Sequence, residues 1–383
     1  MSLSIVADEN IPAIEHYLDG QASVRRISGR DIQRAELDGV DALLVRSVTR
    51  VDADLLRGSS VKFVGTATSG VDHVDRDYLR EQGIGFAYAP GSNANSVVEY
   101  VLAAIAAVPG KLEQVLAGGS VGIVGHGVIG KAVAARMAAL GIDYRAYDPW
   151  LDQQSISHPA TLPEVLSCDV VTLHPELTFE QPWPSFHLLG AAELGSLAGD
   201  CLLINASRGP VVDNTALLAL LQTGAGPRVV LDVWEGEPQI NHALLRQVSL
   251  GTSHIAGYSL DGKLLATRML CEAFTTYMGL VLPRRASPAG EPHALVLPGQ
   301  LSPAESVRYL LQSRYRIDRD DALLRSATLG RTAARAAADF DLLRKQYRER
   351  RELLGSAVHG VTSAARELVL GLGCVPVVPG AGA

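Results

Sequence analysis

The sequence predicts an α/β protein of more than one domain, assembled from repeated strand–helix units. Three observations carry this. The chain has 383 residues, enough at ~150 residues per domain for two or three domains. Short β-like runs alternate with helical patterns almost throughout, as parallel βαβ units do. A glycine-rich turn, Gly125-His126-Gly127-Val128-Ile129-Gly130, stands between a strand run and a helical run. Hydrophobic residues make up 47% and charged residues 20%, a globular composition that excludes wholesale disorder.

In order along the chain, strands are expected at residues 3–7, 42–46, 62–66 and 84–87, with a helix at 75–82. From about residue 92 the scale changes. Residues 96–108 form a long apolar helix closed by Pro109-Gly110. Strands follow at 121–124, 144–147, 169–173, 201–205, 228–232 and 249–251, with a helix at 128–140. This second run is long enough for a complete dinucleotide-binding domain. A helix at 260–280 ends in a breaker zone containing Pro283, Pro288, Gly290 and Pro292, which reads as a linker. A third unit opens with an apolar run at 294–297, carries an arginine-rich helix at 339–354 and closes with 361–379.

Lys plus Arg number 34 against 41 Asp plus Glu, a net charge of −7. That balance argues against general nucleic-acid binding. Cys168, Cys201, Cys271 and Cys374 are too widely spaced for a CxxC metal site or a small disulfide scaffold, so they read as buried or free thiols and no metal is expected. Asp8 and Glu9 stand where a signal peptide needs an apolar core, and no stretch reaches the ~18 apolar residues of a membrane helix. A cytoplasmic location without a membrane partner is the expectation.

The glycine turn has a physical purpose. Gly125 permits a tight bend, Gly127 lets backbone approach a pyrophosphate, and Gly130 lets helix and strand pack closely. The helix that follows offers free N–H groups to phosphates. Asp148, at the end of the next strand, can accept hydrogen bonds from ribose hydroxyls. Pro149-Trp150 follow it, with no adjacent base for a 2′-phosphate, which favours NAD.

Three downstream segments place chemistry at C-terminal strand ends: Arg208 after one strand, Asp232 and Glu237 after the next, His254 after a third. Oxidising a 2-hydroxy acid needs a cation for the carboxylate, a base for the hydroxyl proton and a carboxylate to orient that base. Arginine's planar fork suits the first task.

These segments resemble the D-isomer-specific 2-hydroxyacid dehydrogenases, whose signatures include INxxRG, DVWExEP and SHIAG-like loops. The resemblance implies NAD as cofactor and a catalytic set of Arg208, Glu237 and His254. It places Asp232 by the nicotinamide carboxamide, and Ala206, Ser207, Arg208 and Gly257 along the cofactor, together with Gly125, His126, Gly127, Val128, Ile129, Gly130 and Asp148. His174-Pro175-Glu176-Leu177 departs from the family's usual His-Thr-Pro-Leu. Pro175 takes the cofactor position without a hydroxyl or an N–H. Further matches at residues 6–10, 63–75 and 343–352 point to a branch acting on a four-carbon sugar acid with a phosphate opposite its carboxylate. Substrate contacts then fall on Ser47, Thr68 and Tyr258, with Arg46 and Gly70 beside them.

The implied architecture is a Rossmann-type dinucleotide-binding domain at 94–257, a discontinuous flavodoxin-like substrate domain at 1–93 and 258–285, and a small α/β dimerisation domain at 286–383 that forms a homodimer. One arginine of the third unit, among Arg344, Arg348 and Arg350, is expected to reach the phosphate pocket near Ser47 of either subunit. Two other readings stand beside this one. The first is a family member acting on 3-phosphoglycerate or hydroxypyruvate. The second is a non-catalytic NAD-sensing scaffold, which would tolerate loss of the Arg–Glu–His set.

Overall fold

The computed structural model describes residues 3–377, which fall into two compact units. One holds the described residues up to Asn93 together with Ser259–Glu291; the other holds Ala94–Tyr258 together with the described residues from Pro292 onward.

The first unit is built on five parallel strands: β1 (Leu3–Asp8), β2 (Ala22–Ile27), β3 (Ala42–Val45), β4 (Phe63–Thr66) and β5 (Gly85–Tyr88). Their order is β2-β1-β3-β4-β5, the flavodoxin-like order. Strands β3 and β4 are buried along their whole length, as parallel strands covered on both faces must be. The edge strand β2 is absent from the sequence expectations. Its exposed Arg25 and Arg26 interrupt the apolar signal, and these charges are held instead by Glu36 and Glu15. The chain comes back to this sheet as the helix Leu260–Tyr277, capped by the Ser259 side chain. Phe274 packs edge-on against Phe63 with ring centroids 5.6 Å apart.

The second unit contains β6 (Ser120–Val124), β7 (Asp143–Tyr147), β8 (Val170–Leu173), β9 (Leu202–Asn205), β10 (Arg228–Leu231) and β11 (Leu250–Gly251). These are parallel, in the order β11-β10-β9-β8-β6-β7. Beyond β7, a single parallel bridge joins Ala146 to Pro159, with Ala146 N–H donating to His158 O at 2.9 Å and Ala160 N–H to Ala146 O at 2.9 Å. Counted as a reduced third strand, this segment gives the 3-2-1-4-5-6 order of dinucleotide-binding folds, with β11 added as a seventh strand at the far edge. The order reverses between β6 and β8, where such folds take their ligand.

The C-terminal segment adds a small parallel sheet, β12 (Leu295–Val296), β13 (Ala357–His359) and β14 (Val375–Pro376), and the helices Pro303–Arg314, Ile317–Thr328, Ala333–Lys345 and Arg366–Gly371. The linker composition of 282–292 predicts a free-standing third unit. In the structure the segment instead shares one core with the nucleotide-binding region: Val101 and Ile105 join Val307, Leu311, Val358 and Leu372. The helix Ala94–Ala107 explains why. Every residue from Ser96 to Ala106 is buried, and a helix apolar all round needs cover on every side. The proline-rich stretch marks a crossing between units, not the end of the nucleotide-binding core.

A buried polar tie accompanies this packing. Arg350, 2% exposed, donates to Glu99 at 3.2 Å and lies 4.2 Å from the Tyr315 ring centroid. Glu352 accepts from Ser96 at 2.7 Å and Asn95 at 2.8 Å. Burial pushes the Glu99 carboxyl up to about 7 against the pull of Arg350. The arginine-rich helix expected at 339–354 ends at Lys345; beyond it the chain is non-helical and delivers Arg350 to Glu99. All four cysteines are buried free thiols, and burial holds those of Cys201 and Cys271 up to about 12. No helix among the described residues is long and apolar enough to cross a membrane.

Candidate active site

The glycine loop is shaped by close approaches. Gly125 follows β6 with φ +85°, a left-handed backbone that favours glycine. A Cβ there would meet Pro175 N at 2.6 Å, and one on Gly130 would meet Gly125 O at 1.9 Å. Gly127, by contrast, has nothing within 4 Å of where a side chain would begin, so its backbone faces open space at the start of the helix Val128–Ala139. That is the cradle a pyrophosphate requires, and the residues present fit a dinucleotide. Val128 is exposed and Ile129 half-buried on the first turn.

Asp148 closes the loop from the end of β7. Its carboxylate accepts from His126 N–H at 2.8 Å and Trp150 N–H at 3.0 Å. This aspartate therefore sets the loop's conformation. The imidazoles of His126 and His174 are buried, and each leaves Nδ1 without a partner among the described residues. Burial depresses His174 to about 3. Pro175 packs its backbone on Gly125.

The Arg208 loop follows β9. Asn205, fully buried, accepts from Ser207 N–H at 3.1 Å and Ser207 Oγ at 2.9 Å, and donates to Arg208 O at 3.0 Å. These bonds fix the turn carrying Ala206, Ser207 and Arg208. Gly209 then lies against the next loop, where an added Cβ would sit 2.1 Å from Trp234 backbone. This packing explains why a glycine follows the arginine.

The Glu237 and His254 loops follow β10 and β11. Glu237 Oε1 hydrogen-bonds His254 Nδ1, and Glu237 Oε2 accepts from Trp234 N–H at 3.1 Å. Burial works to raise the Glu237 carboxyl, but the His254 bond, the Trp234 N–H and the positive charge of Arg344 together hold it below its usual value.

His254 itself has φ +56°, a strained backbone for a side chain with a Cβ. Asp232 over-determines it. His254 N–H donates to Asp232 O at 2.7 Å. The Asp232 carboxylate takes Thr252 Oγ at 2.6 Å, Ile255 N–H at 2.7 Å and Ala256 N–H at 2.9 Å. Burial raises the Asp232 pKa despite these donors. Asp232 thus serves first as the clamp of the histidine loop, a job its sequence position did not reveal. Gly257 and Tyr258, both half-buried, follow directly.

Arg208, Glu237, His254, Asp232 and Tyr258 all belong to the second unit, on loops that interlock through Gly209, Trp234 and Thr252; Trp234 Nε1 donates to Thr252 O at 2.9 Å. Nearby, His187 Nε2 lies 2.8 Å from Glu235 Oε1, and Glu235 Oε2 also accepts from Asn214 N–H at 3.2 Å. Arg46, Ser47, Thr68 and Gly70 belong to the first unit, just past the C-terminal ends of β3 and β4. Ser47 is exposed and Arg46 half-buried. Thr68 Oγ1 donates to Gly70 O at 2.7 Å and lies 2.8 Å from Thr66 Oγ1, so the hydroxyl already serves its own turn.

One residue was not foreseen in its particular place. Arg344, in the last turn of the helix Ala333–Lys345, is half-buried and hydrogen-bonds the Tyr258 side chain. Burial opposes its charge, but Tyr258, Glu237 and Asp232 keep the guanidinium's pKa above its usual value.

Comparison with known proteins is specific. Residues 106–256 match the model of the D-isomer specific 2-hydroxyacid dehydrogenase, NAD binding domain. Residues 288–373 match a separate model described only as a domain of unknown function (DUF3410). An erythronate-4-phosphate dehydrogenase of Stutzerimonas stutzeri is 44% identical over 97% of this chain and 99% of its own. One from Citrobacter koseri is 44% identical over 91% of this chain and 92% of its own. Among solved structures, a Thermus thermophilus protein superposes with TM-score 0.62 at 25% identity, over 74% of this chain and 99% of that one. The D-lactate dehydrogenase of Aquifex aeolicus complexed with NAD and lactic acid gives 0.58 at 22% identity, over 72% and 95%; this second likeness concerns the fold alone.

Proposed function

We infer the activity from one premise: the chain belongs to the erythronate-4-phosphate dehydrogenases, within the D-isomer-specific 2-hydroxyacid dehydrogenases. It is an NAD-dependent oxidoreductase, and the reaction is oxidation of the C2 hydroxyl of 4-phospho-D-erythronate to (R)-3-hydroxy-2-oxo-4-phosphooxybutanoate. Such a product would feed pyridoxine 5′-phosphate synthesis. The observation that carries the reading is the His254–Glu237 hydrogen bond beside a complete dinucleotide loop.

NAD, when bound, supplies the acceptor for the hydride that leaves C2. Arg208 holds the substrate carboxylate and polarises the C2 oxygen. Glu237 engages His254 Nδ1, so Nε2 is the nitrogen left to take the hydroxyl proton as the C2–O bond becomes a carbonyl. Glu237 then stabilises the imidazolium. Ser47, Thr68 and Tyr258, with Arg46 and Gly70, contact the substrate. The C-terminal segment forms a homodimer, and the cytoplasm supplies the substrate.

The 3-phosphoglycerate and hydroxypyruvate readings are weaker, because the relatives at 44% identity extend through the C-terminal segment. A non-catalytic sensor has no need of the intact Arg–Glu–His set. The test is NADH formation on 4-phospho-D-erythronate against D-3-phosphoglycerate. Preference for the latter overturns the substrate assignment. His254→Ala should lower turnover at least ~100-fold, the scale of a lost general base; near-normal turnover removes His254 from the role. Light scattering of a chain truncated near Arg285 tests assembly, and a stable dimer would place the interface elsewhere.

A further inference from the structure

We propose that Arg344 is the cationic anchor for the substrate's phosphate, supplied to the site by the C-terminal segment; this rests on the substrate reading above. The structure sorts the three candidate arginines. Arg350 is consumed by Glu99 and the Tyr315 ring. Arg348 is exposed, 3.6 Å from Asp320, and bonds Arg316 O at 3.4 Å. Arg344, by contrast, has its guanidinium beside the Tyr258 side chain and near the Glu237 and Asp232 carboxylates.

Three features make it a ligand-binding group. Its Nε is buried and has no hydrogen-bond partner among the described residues, and a buried donor left without an acceptor is costly. The acids nearest it are already engaged: Glu237 by His254 and Trp234, and Asp232 by Thr252, Ile255 and Ala256. Tyr258 is the third feature. Its ring is held edge-on by Tyr347 at 5.9 Å, and its carbonyl accepts from Arg350 Nε at 3.2 Å. Arg344 hydrogen-bonds the same side chain, so guanidinium and phenol are presented together. A planar guanidinium beside a hydroxyl donor is suited to a phosphate dianion.

The position in the chain points the same way. Arg344 lies in 288–373, outside the segment matched to the general dehydrogenase domain. The common fold therefore supplies the 2-hydroxyacid chemistry, and the appended segment supplies recognition of the substrate's far end.

The test measures kcat/KM of the full-length protein for 4-phospho-D-erythronate and for unphosphorylated D-erythronate. Arg344→Ala should lower the preference for the phosphorylated acid at least ~10-fold, mainly through KM, equivalent to about 1.4 kcal/mol. Arg344→Lys should restore part of it, keeping charge without the fork. Arg348→Ala should leave the preference unchanged. An equal fractional loss on both substrates, or no loss, overturns the phosphate role and reduces Arg344 to a support for Tyr258 and Glu237. If the alanine variant does not fold, Arg344→Gln is read by the same ratio. A wild-type protein that does not turn over the phosphorylated acid fails the substrate reading itself, and this inference with it.

Discussion

The glycine loop after β6 and the histidine loop after β11 stand at the C-terminal ends of strands in one sheet, yet they are fixed by opposite means. The glycine loop is held by missing atoms: Gly130 lies so close to Gly125 that a Cβ would fall 1.9 Å from its carbonyl oxygen. The histidine loop is held by a charge, the Asp232 carboxylate with its three donors. The first arrangement tolerates no added methyl group and the second no lost acceptor. This division suits the two tasks. Phosphates need bare backbone, whereas a general base needs a side chain aimed in one direction.

The largest effect should come from adding the missing atom. In Gly130→Ala the new methyl can be relieved only by moving the loop that carries Gly125. Overpacking of this kind costs about 1–3 kcal/mol. Calorimetry should show NAD binding weakened at least ~10-fold, and the melting temperature should fall by several degrees. Unchanged affinity would mean that close approach does not shape the phosphate cradle.

Removing the charge on the other side should cost less. Asp232→Asn keeps the size, but its amide nitrogen would face one of the N–H donors now bound by a carboxylate oxygen. A buried donor left unpaired costs about 1–3 kcal/mol, part of which would be relieved as His254 relaxes from φ +56°. Turnover at saturating NAD should fall roughly 10-fold, with a smaller change in NAD affinity. Weakened NAD binding with intact turnover would instead make Asp232 a cofactor contact rather than the clamp of the histidine loop.

The same contrast explains what the sequence discloses. The glycine loop, the strands around it and the Arg–Glu–His loops lie in short contiguous motifs, where spacing states the geometry. The fold class is legible for the same reason: β8 and β9 are short, mostly apolar runs, buried along their whole length. What escaped depends on long-range partners. The edge strand β2 is masked by Arg25 and Arg26, whose countercharges lie elsewhere in the chain. The C-terminal segment looked separate because Pro283, Pro288 and Pro292 read as a boundary; the cover it gives the helix Ala94–Ala107 is tertiary. Arg350 sat in a run of like charges and stood as a candidate for the phosphate pocket, although Glu99, some 250 residues earlier, takes it up instead. Arg344 could be found only in a group of three.

The smallest effect concerns His174, whose backbone, with that of Pro175, lies against Gly125. Its Nε2 lies 2.9 Å from Thr172 Oγ1, and burial alone depresses its pKa from 6.5 to about 3. The folded protein thus holds a neutral imidazole that the unfolded chain protonates below about 6.5. Between those values the unfolded state binds more protons, so stability rises with pH. The contribution is fully present above about 6.5 and is lost progressively as pH falls toward 3, at no more than about 1.4 kcal/mol per pH unit. His174→Gln keeps a partner for Thr172 and removes the titration. At pH 7.5 the variant should melt below the wild type, because the flexible glutamine loses more rotamer freedom on burial. At pH 5 the gap should narrow by a few degrees or close, because a group shifted from 6.5 to about 3 loses up to about 2 kcal/mol between pH 7.5 and pH 5. A gap that stays constant between the two pH values would mean that the cofactor side of the sheet, unlike the histidine side, owes nothing to the ionisation of its own residues.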